Sequence, residues 1–320
     1  MKEFKLSRHA ADVEAAIKSG QAARSAVVAS WCRSARLHQL DPEGSRPPIR
    51  LTQSELLLAR ERAGSLLRAA QPAMDRLHQA VGAADCCVLL AGHDGVPVER
   101  RGSICDDATF EAWGLWTGAI WSEEREGTNG IGTALVERRP LTIDRDQHFF
   151  SRNTLLSCTA APIYDHEANL AGVLDVSSCR ADRTDLFADL IRLAVGEAVR
   201  RIETDLFREA FKAARLLLLP AADGQGGGLL AIDADDLVIG ATRSARLTLG
   251  LAPECALRPV PAADLLGGRG ETTEHLGDVQ RSVLQRALLR AEGNVSAAAK
   301  ALGVSRATLH RKLKRFELRH

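Results

Sequence analysis

The end of the chain carries basic and hydroxyl side chains at helical spacing. Leu309, Leu313 and Phe316 recur at i, i+4 and i+7, so they lie on one face of a predicted helix. The other face carries groups that can bond nucleic acid: Arg306, Thr308, His310, Arg311, Lys312, Lys314 and Arg315. An Arg guanidinium bonds O6 and N7 of guanine in a bidentate fork, a Thr contacts a base edge or a thymine methyl, and a Lys pairs with phosphates. The pattern predicts a DNA-reading helix; the alternative is a solvated basic face that complements the helix dipole.

Two further helices would position this one. The apolar spacing predicts amphipathic helices over 279–290, 294–302 and 305–316, with Gly293 and Gly303 at the breaks. Gly303 can take φ > 0, which suits a turn of three or four residues between two steeply packed helices. The three segments predict a helix-turn-helix whose third helix enters the major groove with its first turn.

Residues 293–316, GNVSAAAKALGVSRATLHRKLKRF, strongly resemble the Fis-type DNA-binding domain. The resemblance implies that Arg306 and Thr308 read bases and that Arg311 contacts a phosphate or a base edge. It also implies that Asn294 and Ser305 cap the middle and the reading helix. The predicted DNA-contacting residues are Asn294, Ser305, Arg306, Thr308, His310, Arg311, Lys312, Lys314 and Arg315. Relatives often carry Asn or Arg where this chain has Ser305 and His310, so the preferred bases stay open.

A second group of chemically distinctive residues lies near the middle of the chain. Three of the four Trp fall within 113–121, although aromatic residues make up only 4% of the chain. Such a cluster lines a pocket or anchors loops and core. Cys158, in a predicted strand, is either an oxidant sensor or a small buried hydrophobe. The glycine-rich run 127–132, GTNGIG, lacks the Lys of a phosphate-binding loop and predicts a turn followed by a helix.

Alternating and helical periods predict the elements around these residues. A helix over 51–81 begins with a Thr52–Glu55 capping box. Five strands follow, which we expect to share one antiparallel sheet: 86–92, 96–100, 140–143, 158–164 and 170–177. From Asp182 a broad apolar stripe predicts a long helix, which either packs on this sheet or forms a dimer interface.

This region resembles the N-terminal GAF domain of acetoin-catabolism regulators. The likeness lies in WSEEREGTNGIGTALVERRPLTI (121–143), DQHFF (146–150), CTAAPIYD (158–165) and LAGVLDVSS (170–178), and it begins at Ser30–Arg33. It implies a six-stranded antiparallel sheet with helices and a small-molecule pocket between the sheet and the loops that cross one face. The residues predicted to line that pocket are Trp113, Trp116, Trp121, Asn129, Phe149 and Cys158.

The fold class expected is therefore α+β, with a GAF-type antiparallel sheet flanked by helices and a C-terminal all-α helix-turn-helix. Residues 228–251 look like the opening of a PAS module but are too few for a complete one, so they predict a piece that packs or spaces. The predicted boundaries are 1–50 for an N-terminal helical segment, 51–181 for the GAF-like domain, 182–219 for the connecting or dimer helix, 220–251 for the partial PAS-like piece, 252–274 for a linker rich in Pro and Gly, and 275–320 for the Fis-type domain.

Composition and missing motifs exclude several classes of function. Seven Cys without a CxxC pair predict no disulfide framework and no metal site, and the absence of HExxH and GxSxG predicts no enzyme and no cofactor. The 42 basic and 41 acidic residues exclude a polycation, although 276–320 carry ten basic residues against three acids, which gives +7 there. No apolar run approaches the roughly 20 residues that span a bilayer, and no apolar stretch follows Met1, so a cytoplasmic protein is expected.

Enhancer-binding relatives normally place an AAA+ ATPase between sensor and DNA reader. Neither its G-x-x-x-x-G-K-[ST] motif nor a GAFTGA loop occurs in this sequence. We therefore expect a regulator that responds to an unidentified small-molecule effector without hydrolysing ATP and reads a (pseudo)palindromic operator in double-stranded DNA. The expected partners include a second copy of the chain and RNA polymerase, but no membrane. The alternatives are a constitutive DNA-architectural protein and a competitor of a full-length enhancer-binding activator.

Overall fold

The computed structural model of the chain describes residues 7–46, 48–81, 85–179, 185–220, 227–253, 256–266, 283–284, 287–288, 291 and 294–316. The chain divides into two units, Met1–Ala262 and Ala263–His320, and each is described by itself. Within the described ranges, no helix has the length and apolar character needed to cross a membrane.

Two short helices begin the first unit, as the sequence predicts. Helix α1 (Arg8–Lys18) and helix α2 (Ala26–Cys32) are each capped by a serine side chain, and Arg33–Leu37 continue α2 as a wider π-helical turn. Their apolar side chains join those of a distant loop in one cluster: Val13, Trp31, Phe149 and Phe150. The N-terminal segment is therefore packed on the domain that follows it.

The next helical stretch consists of two helices rather than the single one predicted over 51–81. Helix α3 (Gln53–Arg62) begins with the predicted capping box, in which Thr52 and Glu55 exchange hydrogen bonds. It ends at Arg62, with Ala63 as the capping residue, and helix α4 (Gly64–Val81) follows directly. The break has a physical cause, because α4 buries a continuous apolar face while α3 buries a single alanine, so the two do not share one stripe.

Five antiparallel strands form the sheet of this unit in the order β2-β1-β5-β4-β3. They lie where the alternation predicts them: β1 (Cys86–Gly92), β2 (Pro97–Arg101), β3 (Leu141–Asp144), β4 (Ser157–Tyr164) and β5 (Leu170–Ser178). Helices α5 (Asp107–Ala112), α6 (Glu123–Glu126) and α7 (Gly130–Glu137) lie in the connection between β2 and β3.

The expectation of a sixth strand is wrong for the described part of the chain. A short stretch lies along the outer edge of the sheet instead, where Gly118 N–H donates to Pro97 O and Trp121 N–H donates to Gly95 O, both at 2.9 Å. These bonds occupy the edge but are too few to form a strand ladder. The turn between β1 and β2 contains Gly95 at φ 77°, a left-handed conformation that glycine adopts without strain.

Both faces of the sheet are covered, which is why β1 and β4 are buried along their whole length. Side chains alternate between the faces. On one face, Val88 and Leu90 belong to a core shared with α4 and the long helix that follows β5. On the other, Cys87, Leu89 and Ala91 pack against Phe110, Trp121 and Ile131 and their neighbours. We call this second side the sensory face.

The long helix α8 (Asp185–Ala210) has 26 residues and is about 39 Å long at 1.5 Å per residue. Its inner face is core and carries Ile191, Val195, Ala198, Val199, Ile202, Leu206 and Phe207. Its outer face exposes three leucines: Leu186, Leu190 and Leu193. The predicted apolar stripe therefore divides into a long buried part and a short exposed part. The predicted extension of this helix to residue 219 is wrong, because α8 ends at Ala210.

A second sheet follows α8 and uses residues from both sides of the predicted PAS-like piece. Its order is β6-β7-β8-β9, with β6 (Arg215–Leu218), β7 (Leu229–Ile232), β8 (Leu237–Ala241) and β9 (Val260–Pro261). Strand β6 comes from the span predicted as helix and β9 from the span predicted as linker. Helix α9 (Arg243–Leu249) packs on β7 and β8, and helix α10 (Ala262–Leu266) follows β9 in the chain.

The second unit contains the two helices predicted for the end of the chain. Helix α11 (Val295–Ala301) and helix α12 (Arg306–Arg315) flank a turn in which Gly303 has φ 63°, as expected. The predicted first helix, 279–290, lies mostly outside the described residues. Its described positions Leu284, Ala287 and Leu288 share one core with Leu309 and Leu313 of α12.

The fold predicts a pH-dependent stability centred on Glu203 of α8. Its Oε1 accepts the N–H of Tyr164 at 2.9 Å, and burial raises the pKa of Glu203 to about 7 against the opposing effects of that bond and two arginines. The folded chain then holds the proton more tightly than the unfolded chain, whose carboxyl has the ordinary pKa of 4.5. Stability should therefore be greatest below about pH 4.5 for this group and be lost as pH rises to about 7.

Glu203→Gln should raise the free energy of unfolding at about pH 8 by roughly 1 to 3 kcal/mol and flatten its decline with pH. Urea unfolding at several pH values between about 5 and 8 measures this. Glu126→Gln is the matched comparison, since burial also raises the pKa of Glu126 to about 7. An unchanged slope in Glu203→Gln would show that this carboxyl does not titrate in that range.

Candidate functional site

Strand register brings polar side chains together on the sensory face. Ser177 of β5 lies opposite Cys87 of β1 on one side and Cys158 of β4 on the other. In the adjacent row, Asp175 lies opposite Leu89. Ser177 and Asp175 are almost completely buried. A row of polar groups in an otherwise apolar layer is costly unless the groups bond one another or a ligand.

A chain of hydrogen bonds connects these groups to His148. The His148 Nδ1 lies 3.0 Å from Arg145 O, which identifies Nδ1 as the donor, and its Nε2 lies 3.5 Å from the Cys158 Sγ. The Ser177 hydroxyl lies 3.1 Å from that Sγ and donates to Asp175 Oδ2 at 2.6 Å. The sequence analysis predicted Cys158 as a site residue but not His148, Ser177 or Asp175. His148 is ten positions from Cys158 in the chain, and Ser177 and Asp175 lie in a strand that is otherwise mostly apolar.

Burial determines the protonation of this cluster. It lowers the pKa of His148 to about 4, so the imidazole is neutral at physiological pH and does not stabilise a Cys158 thiolate. Burial, with Asp175 nearby, raises the pKa of the Cys87 thiol well above its usual range. Cys87 and Cys158 stand two strands apart, about 9 to 10 Å, which exceeds the Cα separation of a disulfide. Within the described residues, no group of three metal-ligating side chains occurs.

The predicted tryptophans differ in their contacts. Trp116 stacks on Arg100 of β2, with the guanidinium carbon 4.3 Å from the ring centroid. Trp113 packs on the edge of the sensory-face core. Trp121 is buried within that core, and its Nε1–H donates to Gly114 O at 2.8 Å. Trp121 is therefore a loop anchor, while Trp116 lies over a charged group.

Asn129 and Phe149 shape the glycine-rich turn before α7. Asn129 caps the helix, because its Oδ1 accepts the N–H of Gly132 at 2.8 Å. Phe149 lies against Gly127, where an added Cβ would lie 2.7 Å from the Cβ of Phe149. The run 127–132 is thus a turn and a helix start. A ligand contact by Asn129 or Phe149 stays a prediction.

A buried ion pair connects the N-terminal helices to the same domain. Glu123 of α6 is 2% exposed and receives the Ser30 hydroxyl at 2.7 Å and the Arg33 Nε–H at 2.6 Å. Arg33 also donates to Glu137 at 2.8 Å, and these hydrogen bonds raise the pKa of its guanidinium. The residues Ser30–Arg33, singled out by resemblance alone, therefore have a structural role.

In the second unit, capping and burial orient the predicted DNA-contacting residues. Asn294 caps α11, and Ser305 caps α12 by accepting the N–H of Thr308 at 3.1 Å. Leu309 and Leu313 turn inward, while Arg306, Arg311 and Lys314 are exposed. Thr308, His310 and Lys312 are half-buried, and the Arg315 side chain lies outside the described residues. The helix therefore presents its basic face to solvent, which is the geometry that groove entry requires.

Family comparisons match both units. Residues 65–202 match the GAF domain family, and residues 275–316 match the Fis family of bacterial regulatory proteins. The chain therefore contains a GAF domain and a Fis-type helix-turn-helix. The two matched regions are separated by residues 203–274, whose described part contains the end of α8 and the second sheet. Neither the G-x-x-x-x-G-K-[ST] motif nor the GAFTGA loop of an AAA+ ATPase occurs in the sequence between the two matched regions.

The relatives that this chain matches include two regulators named for acetoin catabolism. It is 33% identical to the acetoin catabolism regulatory protein of Cupriavidus necator over 247 residues, which cover 76% of this chain and 36% of that protein. It is 33% identical to the acetoin dehydrogenase operon transcriptional activator AcoR of Bacillus subtilis over 156 residues, which cover 48% and 25%. The chain spans about a third or less of the length of these relatives.

Among solved structures, the chain is similar to the crystal structure of the E. coli DhaR(N)-DhaL complex. The TM-score is 0.52 at 17% identity, and the match covers 73% of this chain and 80% of that chain. At this identity the similarity shows the fold alone. Because the match covers more of the chain than the GAF domain does, it extends beyond that domain.

The Cys158 environment predicts a protected thiol. Native protein treated with iodoacetamide should be labelled first at Cys105, which is exposed, while Cys158 is buried and should react at least about a hundredfold more slowly until urea unfolds the chain. Peptide mass mapping over time gives both rates in one sample. Equal labelling of Cys105 and Cys158 in the folded protein would instead favour the oxidant sensor.

Proposed function

We propose that the chain is a DNA-binding transcription regulator that responds to a small-molecule effector bound in its GAF domain. The observation that supports this most directly is the combination, in one chain, of a GAF sheet with buried polar groups on one face and a capped, solvent-facing basic helix in a Fis-type domain. No catalytic role is proposed, because the Cys158–His148 pair is buried and its imidazole is neutral.

The DNA contacts follow from the exposure of α12. Arg306 stands at the first position of the helix and is exposed, so it can reach a base edge in the major groove. Lys314 stands two turns later, where it would meet a phosphate. These roles give Arg306 a sequence-specific contribution and Lys314 a general one.

Homodimerisation is proposed for the outer face of α8. Leu186, Leu190 and Leu193 follow one another at i, i+4 and i+7 and are all more than half exposed. Three large leucines in a row on one helix face are costly in water and suit an isologous contact with a second copy. A dimer would place two reading helices over the two halves of a palindromic site.

The absence of an ATPase between the matched regions determines how such a regulator would act. It would occupy DNA, contact RNA polymerase directly, or compete with a full-length enhancer-binding activator for the same site, in each case in the cytoplasm. The acetoin-related names of its relatives make acetoin a reasonable first effector to test. Effector binding would alter DNA affinity only by favouring one dimer geometry over another, typically by 5- to 150-fold.

Single substitutions on α12 separate base reading from phosphate contact. Arg306→Ala should weaken binding to an operator selected from a random DNA pool by roughly 1 to 3 kcal/mol, with less effect on unrelated DNA. Lys314→Ala should weaken both equally and lower the slope of log affinity against log salt by about one. Fluorescence anisotropy at several salt concentrations gives the affinity of each variant for the selected operator and for unrelated DNA. Equal losses for Arg306→Ala on both DNAs would refute its base-reading role.

The dimer proposal is tested on the exposed part of α8. Leu190→Glu should shift sedimentation toward a monomer and weaken operator binding, because it places a charge in the proposed contact. Leu155→Glu is the matched control, since Leu155 is 58% exposed against 55% for Leu190 but lies far from α8 in sequence. Ile202 has no exposed surface, so its substitution would report on folding instead. A dimer that survives Leu190→Glu with unchanged affinity would rule out this interface.

A further inference from the structure

Arg100 of β2 lies beneath the loops of the sensory face with part of its guanidinium unmatched. Its Nη1 donates to Asp107 Oδ1 at 2.6 Å. Its Nε and Nη2 are buried, and no acceptor in the described part of the chain lies within hydrogen-bonding distance of either. A buried donor without an acceptor is unfavourable, and more so when it is charged. Two such donors on one side chain point to a group that the protein itself does not supply.

The two unmatched donors form a defined binding edge. In a planar guanidinium, the Nε–H and one Nη2–H lie side by side and point in the same direction. That edge matches the two oxygens of a carboxylate, which it binds through two parallel hydrogen bonds. Because Asp107 uses the remaining nitrogen, its ion pair orients Arg100 and leaves the whole edge available.

The surroundings hold the guanidinium in place. The Trp116 ring lies 4.3 Å from its central carbon and the Phe110 ring lies 5.5 Å away, so aromatic groups from the loop after β2 restrict its plane. At Gly102, an added Cβ would lie 2.3 Å from Nη2, so the guanidinium packs closely on the backbone here and a side chain at this position would displace it. Leu89 lies opposite Arg100 on β1 and gives the same area an apolar wall.

We propose that this edge of Arg100 binds the carboxylate of a small organic acid, an inference that rests on the proposed effector-sensing function and names the class of effector. The short apolar part of the acid would lie against Leu89 and Trp116. A neutral carbonyl offers one oxygen and leaves one donor unpaired. A doubly charged phosphate would bring excess negative charge to a single guanidinium that already has Asp107 beside it and Asp175 on the same face. A carboxylate of single charge satisfies both donors.

The test compares acids with their own amides on the full-length chain. Isothermal titration at constant ionic strength would use acetate, propionate, lactate and pyruvate, the corresponding amides, inorganic phosphate and neutral acetoin. At least one acid should bind about tenfold or more tightly than its amide, which has the same shape without the charge. Phosphate should bind more weakly than that acid.

Variants then assign the binding to Arg100. Arg100→Gln should weaken the acid about tenfold or more, and Arg100→Lys should also weaken it, because an ammonium keeps the charge but lacks the fork. Arg101→Gln is the matched control, since Arg101 pairs with Asp75 and Glu99 and should leave acid binding unchanged. If Arg100→Gln fails to fold, the comparison of acid and amide in the unaltered protein still decides the class of ligand.

Four outcomes would overturn the inference. Equal binding of acid and amide would show that the charge is not recognised, and stronger phosphate binding would give the site another ligand class. Binding of neutral acetoin that Arg100→Gln does not change, without acid binding, would leave the proposed effector sensing intact and remove the carboxylate assignment. If no probe binds and none changes operator affinity, the effector-sensing function fails together with the inference.

Discussion

Burial of both faces of the five-stranded sheet is the constraint on which the rest of the first unit depends. A sheet with one solvated face could place polar side chains on it at little cost, whereas here β1 and β4 are buried along their whole length between two packed layers. Helices α4 and α8 cover one face with an ordinary apolar core. The sensory face is covered by short helices and loops that also carry charged and aromatic groups. One layer is therefore apolar, while the other contains buried polar groups.

Buried polar groups in such a layer are tolerated only when they have hydrogen-bonding or ion-pair partners. That requirement accounts for the arrangement of side chains on the sensory face. His148, Cys158, Ser177 and Asp175 meet it in large part through contacts with one another and with Arg145 O. Arg100 satisfies it only in part, through Asp107. The internal contacts enclose Cys158 among buried polar groups, whereas Arg100 has two buried donors without an acceptor in the described part of the chain.

The sequence predicted the features that local spacing controls. The five strands, the Thr52–Glu55 capping box, the caps at Asn294 and Ser305 and the left-handed Gly303 all depend on residues within a few positions of one another. The division of 51–81 into two helices, and the inclusion of β6 and β9 in the second sheet, depend on which faces become buried. A short stretch of sequence does not contain that information. For the same reason the sequence indicated the tryptophans but not Arg100, since its importance arises only when Trp116, Phe110 and Gly102 surround it.

The position of α8 has a consequence for how such regulators can be recombined. The GAF match ends at residue 202, yet Leu206 belongs to the core of the first sheet. The next residue, Phe207, belongs to the core of the second sheet. Adjacent residues of one helix thus serve two cores. A chimaera that exchanges GAF domains at the family boundary, residue 202, would replace Leu206 and so leave the core of the first sheet incomplete, whereas a junction after Leu266 keeps Leu206, Phe207 and both sheets in one piece.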